Sequence, residues 1–142
     1  MSIRRASHAV YELNYHFVWP PKYRRAVVTK EVKKFLEDLF PKVAEAYGLE
    51  VIEQSVQSDH LHLYVSAPPR IAPAQIVDIL KSISAREVFK KFPKVKQQLW
   101  GGELWSNGYF VRAVGDKITS FIIQRYIRYQ RNEQNHKQRR LF

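Results

Sequence analysis

The sequence contains no cysteine, few acidic residues and no long apolar run. Without sulfur nucleophiles or thiolates, the chain forms no disulfide, no cysteine-ligated zinc site and no thiol enzyme. No window approaches the roughly 20 apolar residues that span a bilayer. The basic N-terminus lacks the apolar segment that follows it in a secretory signal. We therefore expect a soluble, cytoplasmic protein with no membrane partner.

The scarcity of acidic residues leaves 24 Lys and Arg against 13 Asp and Glu, a formal net charge of +11. Such a charge on a small domain attracts polyanions, and nucleic acids are the commonest of these inside cells, so a nucleoid-associated protein is one expectation. With 45% apolar residues and no repeat or linker, the 142 residues fit one packed domain. We predict a single domain over 1–142, with 133–142 as a flexible basic tail.

Period-two patterns, capping residues and prolines predict the element order β-α-β-β-α-β-α. Thr29 is the expected N-cap of the first helix, Pro41 should kink or divide it, and Gly48 should follow its end. The order fits a ferredoxin-like α+β fold, a split β-α-β arrangement with one antiparallel sheet of order 4-1-3-2, followed by a C-terminal helix that Asp116 caps. Predicted strands cover residues 10–18, 49–56, 60–65 and 109–114; helices cover 30–47, 74–92 and 117–132; and 94–108 is irregular.

A pair of histidines stands on the third predicted strand. His60 and His62 share one face, about 6.7 Å apart along the strand, while Leu61 and its apolar neighbours face the core. Two imidazoles at this spacing can converge on one ion, although two histidines also alternate on solvent-facing strands by chance. A divalent ion needs a third protein ligand.

The last predicted helix offers that ligand, because Tyr126 and Gln130 are four residues apart and share a face. Gln130 could complete the ion's shell while Tyr126 presents its hydroxyl. Two alternatives stay open: an ordinary amphipathic helix with Gln130 in solvent, and the pair Tyr129 and Glu133 at the same spacing. Tyrosine is a poor nucleophile at neutral pH, but Mg²⁺ or Mn²⁺ can polarise a phosphodiester for its attack. The phosphotyrosine that results keeps the ester bond, so strands can be rejoined without ATP.

These motifs together resemble the IS200/IS605 family of single-tyrosine transposases, whose His-hydrophobic-His motif defines the HUH nuclease fold. The chain carries His60-Leu61-His62 and the segment 126–130, in order with similar stretches at 15–25 and 104–111. The resemblance runs from about Ala9 to Gln130. It departs at Trp19-Pro20-Pro21, where relatives commonly carry less proline.

The resemblance implies a metal-dependent enzyme that cuts and rejoins single-stranded DNA at the hairpin-bearing ends of an insertion sequence. Tyr126 would form a 5′-phosphotyrosine, and His60, His62 and Gln130 would hold Mg²⁺ or Mn²⁺. Family members are homodimers in which the tyrosine helix acts in trans. The short turn at 115–116 favours the same arrangement, because it limits how far the last helix can swing over its own subunit.

Basic residues interleaved with an aromatic suit phosphate contact plus base stacking. Two alternative functions remain. One is a domesticated, REP-associated HUH nuclease that acts on chromosomal palindromes. The other is a non-catalytic ferredoxin-like RNA-binding domain, which needs stacking aromatics where this sequence has histidines. The candidate DNA-binding residues are Lys22, Tyr23, Arg24 and Arg25 of one loop, Lys81 and Arg86 of the second helix, and Arg112 of the fourth strand.

Overall fold

The computed structural model of the chain describes residues 3–6, 8–22, 27–99, 102–115 and 117–137, with side chains in the last range described for 120–132. The elements in chain order are β1 (Arg4–Ala6), β2 (Ala9–Tyr11), β3 (Asn14–Trp19), α1 (Lys30–Ala46), β4 (Glu50–Val56), β5 (Leu61–Ser66), α2 (Pro73–Lys91), α3 (Pro93–Gln98), β6 (Phe110–Val114) and α4 (Lys117–Lys137).

Four strands form one antiparallel sheet in the order β4-β5-β3-β6. This is the predicted order, read from the opposite edge, and it confirms the α+β fold. The first predicted strand is too long, since its N-terminal part, Ala9–Tyr11, pairs instead with Arg4–Ala6 as a separate hairpin. The apolar alternation continues through the break, so the pattern alone does not reveal it.

The two faces of the sheet are covered by different helices. On one face, fully buried residues of β3 and β5 such as Phe17 and Leu63 join the large apolar core with Leu36 of α1 and Leu80 of α2. On the other face, Tyr64 of β5 packs in a second, smaller cluster built from Val114, Ile123 and Ile127. Because all six residues of β5 are buried, its polar side chains lie inside the protein.

Helix α1 follows its predicted ends but is not divided at Pro41. The Thr29 hydroxyl accepts from the Val32 amide at 3.3 Å, and Gly48 after the helix has φ +76°. A proline at position 41 leaves the Glu37 carbonyl without its helical donor. The Gln54 side-chain amide of β4 donates to that carbonyl at 2.7 Å, so the helix continues through residue 46.

The segment between α2 and β6 is more ordered than predicted. It begins with the short helix α3, which starts at Pro93, a residue suited to the first helical position. The segment then hydrogen-bonds to the residues that follow β3, where the Lys22 backbone amide donates to the Leu104 carbonyl at 2.8 Å. The Trp105 indole N–H donates to the Ser84 hydroxyl of α2 at 2.9 Å.

Helix α4 extends beyond its predicted end at 132, so residues 133–137 of the expected tail are helical. The remainder of that tail, 138–142, and the expected cap Asp116 lie outside the described residues. None of the helices in the described part of the chain combines the length and apolarity needed to cross a bilayer.

The Ser84 contact yields a stability prediction. We expect Ser84→Ala to lower the free energy of unfolding by about 1–3 kcal/mol, because the buried Trp105 N–H loses its acceptor. Ser82→Ala is the matched control on the same helix, since its hydroxyl is exposed, and should change stability by less than about 0.5 kcal/mol. Urea unfolding measures both. Equal effects of the two variants would show that the indole bond does not stabilise this segment.

Candidate active site

Three histidines, rather than the predicted two, meet on the sheet face that α4 covers. His62 pairs in register with Val18 and His16 pairs with Tyr64, so these two lie on the adjacent central strands β5 and β3, and His60 directly precedes β5. The His16 Nε2 and His62 Nδ1 atoms are 3.0 Å apart, and the His60 and His62 ring centroids are 4.9 Å apart. The three side chains are 1–7% exposed. The sheet therefore holds a row of buried imidazoles.

The position of His60 is set by the turn before β5. The backbone amide of Gln57 donates to the backbone carbonyl of His60 at 2.9 Å. This bond closes the turn and fixes the backbone of His60, the residue before Leu61. Its Nδ1 lies 2.9 Å from a carboxylate oxygen of Asp59, and both side chains are almost fully buried. A carboxylate accepts the Nδ1 proton, and this leaves the lone pair on Nε2, the tautomer of many metal-bound histidines.

Helix α4 packs on this face. Near its start the Tyr64 hydroxyl hydrogen-bonds the Ser120 hydroxyl, and further along Arg128 pairs with Glu53 of β4 at 2.7 Å. Between these contacts, the ring of Tyr126 stands perpendicular to His62 with centroids 5.7 Å apart. The helix thus reaches the histidines of its own chain. The expectation that the turn at 115–116 keeps the helix from its own site is not met, because Ser120 near the helix start already reaches Tyr64 of β5.

Of the two candidate pairs on α4, Tyr126 contacts His62 and Gln130 lies on the buried side of the helix. Gln130 continues the buried stripe of Ile123 and Ile127 and is only 7% exposed, so it is not in solvent. Tyr126 is 48% exposed, which leaves its edge accessible to a large substrate. Tyr129 is 57% exposed, and the side chain of Glu133 lies outside the described residues.

Among the buried polar atoms that lack a hydrogen-bond partner within the described ranges are Nε2 of His62 and Oε1 of Gln130. Oε1 of Gln57 is another, and Nε2 of Gln57 donates to Ser55, which pairs with His62 in the β4–β5 register. Burying such atoms without a partner is costly, and each is a suitable ligand for a divalent cation. No group of three His, Cys, Asp or Glu side chains suited to a metal occurs among the described residues. A metal here needs a ligand of another type, and the amide oxygen of Gln130 fits this requirement.

Burial also holds His62 and His16 in their neutral forms. Burial, followed by the neighbouring imidazoles of His60 and His16, lowers the pKa of His62 from 6.5 to about 3. Burial and the nearby Arg112 guanidinium lower the pKa of His16 from 6.5 to about 4. Neutral imidazole is the form that binds metal, so at neutral pH no proton has to be removed from these rings.

The predicted DNA-binding residues are scattered. Arg112 is exposed on β6 directly opposite His16, so it shares the face of the candidate site. Lys81 donates to the carbonyls of Ser106 and Gly108 at 2.6 and 3.0 Å, and burial lowers its pKa. These bonds assign Lys81 a structural task on the other side of the sheet.

The remaining candidates add little to this surface. Lys22 pairs with Glu103 at 2.8 Å. Arg86, on α2, lies 3.2 Å from a carboxylate oxygen of Glu87. Tyr23, Arg24 and Arg25 lie outside the described residues. The DNA-binding role of every residue in the set stays a prediction.

Sequence reasoning gave no role to His16 or to Asp59. His16 is 46 positions from His62, and only the antiparallel register of β3 and β5 joins them. The available signal was the polar side of the first strand, where His16 alternates with apolar residues just as His62 does. Asp59 directly precedes the predicted strand over 60–65, so the period-two pattern assigns it no partner.

The family model described as "Transposase IS200 like" matches residues 9–130. The chain belongs to the IS200-like transposase family. Among curated relatives, the ISDra2 transposase TnpA of Deinococcus radiodurans is 39% identical over 134 residues, covering 94% of this chain and 95% of the relative. The IS200 transposase of Salmonella typhimurium is 28% identical over 127 residues, covering 89% of this chain and 82% of the relative.

Solved structures agree with this family assignment. A Deinococcus radiodurans crystal structure assigned as a transposase has a TM-score of 0.71 and 38% identity, covering 89% of this chain and 97% of the other. A REP-associated tyrosine transposase bound to a REP hairpin has a TM-score of 0.66 at 16% identity, covering 96% of this chain and 75% of the other. The second likeness shows the shared fold only.

Proposed function

We propose that this transposase cuts and rejoins single-stranded DNA at the hairpin-bearing ends of an insertion sequence, with Tyr126 as the nucleophile and a divalent metal as cofactor. The observation that carries the proposal is the position of Tyr126, whose ring lies against His62, a residue whose buried Nε2 has no hydrogen-bond partner among the described residues. Family membership supports the transposase chemistry, and the finer mechanism rests on these residues.

In the proposed cleavage, the Tyr126 hydroxyl oxygen attacks a backbone phosphorus atom. The bond from that phosphorus to the tyrosine oxygen forms, and its bond to the 3′ oxygen of the neighbouring nucleotide breaks. The phenol proton passes to solvent and the leaving oxygen takes up a proton, which gives a 5′-phosphotyrosine and a free 3′-hydroxyl. Rejoining reverses these steps with another 3′-hydroxyl, so the ester energy is conserved.

His60, His62 and Gln130 would hold the cofactor, Mg²⁺ or Mn²⁺, through Nε2, Nε2 and Oε1. When bound, such an ion polarises the phosphodiester and stabilises charge that develops on its oxygens. Asp59 orients His60 by accepting its Nδ1 proton. Because Tyr126 is about half exposed, a DNA strand can approach its hydroxyl from solvent.

The proposed DNA substrate is supported by charge and by a structural relative. The net charge of +11 favours phosphate binding, and Arg112 lies exposed on the site's own face. The loop residues Lys22, Tyr23, Arg24 and Arg25 stay candidates for contact with phosphates and bases. The REP-associated relative was solved with a DNA hairpin, and its fold is shared. We expect this chain to bind a hairpin as well.

We further propose a homodimer in which the tyrosine helix serves the partner's site. The outer surface of α4 exposes Phe121 and Ile122, which are 60% and 59% exposed. The edge strand β6 exposes Phe110 and pairs, among the described strands, only with β3. An unpaired edge beside exposed apolar side chains favours association with another chain. The contacts of α4 with the sheet would be the same with a partner's helix.

The alternative functions have less support. An RNA-recognition sheet needs an open platform of aromatic side chains on its central strands. Here the corresponding face carries His16 and His62 and is covered by α4. A domesticated, REP-associated nuclease would share the fold, but the REP-associated structural relative is only 16% identical to this chain, against 39% for an insertion-sequence transposase.

The nucleophile is tested by substitution. We expect Tyr126→Phe to reduce the covalent protein–DNA adduct at least about 1,000-fold, because only the attacking oxygen is lost. Affinity for the hairpin should change by less than about twofold, since the ring still packs. Denaturing gels with labelled oligonucleotides from the chain's own locus measure the adduct. Tyr129→Phe is the matched control on the same helix; loss of the adduct there, with Tyr126→Phe active, would reverse the assignment.

The metal is tested by removal. We expect excess EDTA to abolish cleavage and Mg²⁺ or Mn²⁺ to restore it, because three ligands from the chain leave positions for phosphate oxygens. His60→Ala and His62→Ala should each stay inactive after metal is returned. His8→Ala, an exposed histidine, should retain activity. Full cleavage by the wild type in EDTA would contradict metal dependence.

The trans arrangement is tested by mixing two inactive proteins, Tyr126→Phe and the double variant His60→Ala, His62→Ala. With free subunit exchange at equal amounts, half of the dimers are mixed and each regains one of two sites, so about a quarter of wild-type cleavage should return. A site formed within one chain cannot be rescued this way. Confirmed exchange with no recovered activity would therefore establish that Tyr126 acts in cis.

A further inference from the structure

His16 stands beside the proposed metal ligands without being one of them. Its Nε2 lies 3.0 Å from Nδ1 of His62, the planes of the two rings are 20° apart, and both side chains are buried. The ring of Phe110 packs edge-on against its other side at 6.2 Å. His16 is thus fixed on a central strand with its Nε2 committed to His62.

The direction of this hydrogen bond decides what His62 can do. A neutral imidazole carries one N–H and one lone pair. If His62 donates from Nδ1, its Nε2 holds a lone pair. If His16 donates instead, His62 carries its proton on Nε2 and cannot bind a cation there.

The surroundings of His62 favour the first direction. Its Nε2 is buried and has no partner in the described part of the chain. A proton at that position would be a buried donor without an acceptor, whereas a lone pair there is what a cation requires. The two proposed ligands differ in the partner of their Nδ1 atom. The carboxylate of Asp59 beside His60 can only accept a hydrogen bond, while the imidazole of His16 beside His62 can accept or donate one.

We propose that His16 is a positioning residue, which accepts the Nδ1 proton of His62 and thereby keeps the Nε2 lone pair of His62 directed at the metal. This rests on the metal site of the proposed function. Partners of this kind, hydrogen-bonded to a ligand rather than to the ion, typically change metal affinity about 10- to 100-fold. The orientation of His62 is fixed from β3, across the sheet, and not from its own strand.

The test compares His16→Leu with His16→Gln. Leucine fills much of the volume of histidine but has no hydrogen-bond acceptor, whereas the amide oxygen of glutamine can accept the Nδ1 proton of His62. We expect Mn²⁺ affinity, measured by calorimetry or electron paramagnetic resonance without DNA, to fall about 10- to 100-fold in His16→Leu and less than about threefold in His16→Gln. His8→Leu controls for loss of a histidine elsewhere, and urea unfolding shows whether each variant is folded.

A second readout does not depend on metal. In the metal-free wild type, nitrogen-15 NMR of the histidine rings should find the His62 proton on Nδ1, and in His16→Leu part of it should move to Nε2. Wild-type affinity in His16→Leu, or a proton on Nε2 of His62 in the wild type, would overturn the proposal. If the wild type binds no Mn²⁺, the metal site of the proposed function fails, and the ring spectra still decide what His16 does to His62.

Discussion

Helix α4 lies across the face of the sheet that α1 and α2 leave uncovered, and its contact with β5 determines what the histidines can do. Ile123 and Ile127 pack with Tyr64 in the cluster between the helix and the sheet. Because His62 on the sheet and Gln130 on this helix are both buried, their atoms without a hydrogen-bond partner among the described residues are available to an ion rather than to solvent. Without α4, the same histidines would face solvent and could satisfy their hydrogen bonds with water.

The same contact supplies both parts of the proposed chemistry. Tyr126 and Gln130 are one helical turn apart, so one helix brings the nucleophile and a metal ligand to the site together. The side chain of Tyr126 remains about half exposed, as a residue that must meet a DNA backbone requires. Since one rigid helix carries both groups, a partner's helix would deliver them as a pair in the same way. This is why the single chain and a helix-exchanged dimer can present equivalent sites.

Much of this architecture could be predicted from local pattern. The period-two alternation around Leu61 correctly put His60 and His62 on the face opposite the core, and the cap at Thr29 and the glycine at 48 correctly bounded α1. These signals involve residues close in sequence, so they are visible without a structure. The spacing on the last helix could not choose between its two candidate pairs, because both faces carry tyrosine.

What the sequence could not reveal depends on contacts between distant segments. The bond between His16 and His62 joins residues 46 positions apart and exists only in this strand register. The helix passes through Pro41 because Gln54, from the neighbouring strand, supplies the missing donor. The reach of α4 over its own histidines likewise depends on where β6 ends relative to β5. The central claim, that His60, His62 and Gln130 hold one divalent ion beside Tyr126, is tested most directly by anomalous diffraction from crystals grown with Mn²⁺. The account predicts one strong peak about 2.2 Å from Nε2 of both histidines and from a Gln130 Oε1; a peak elsewhere, or none at saturating Mn²⁺, would contradict it.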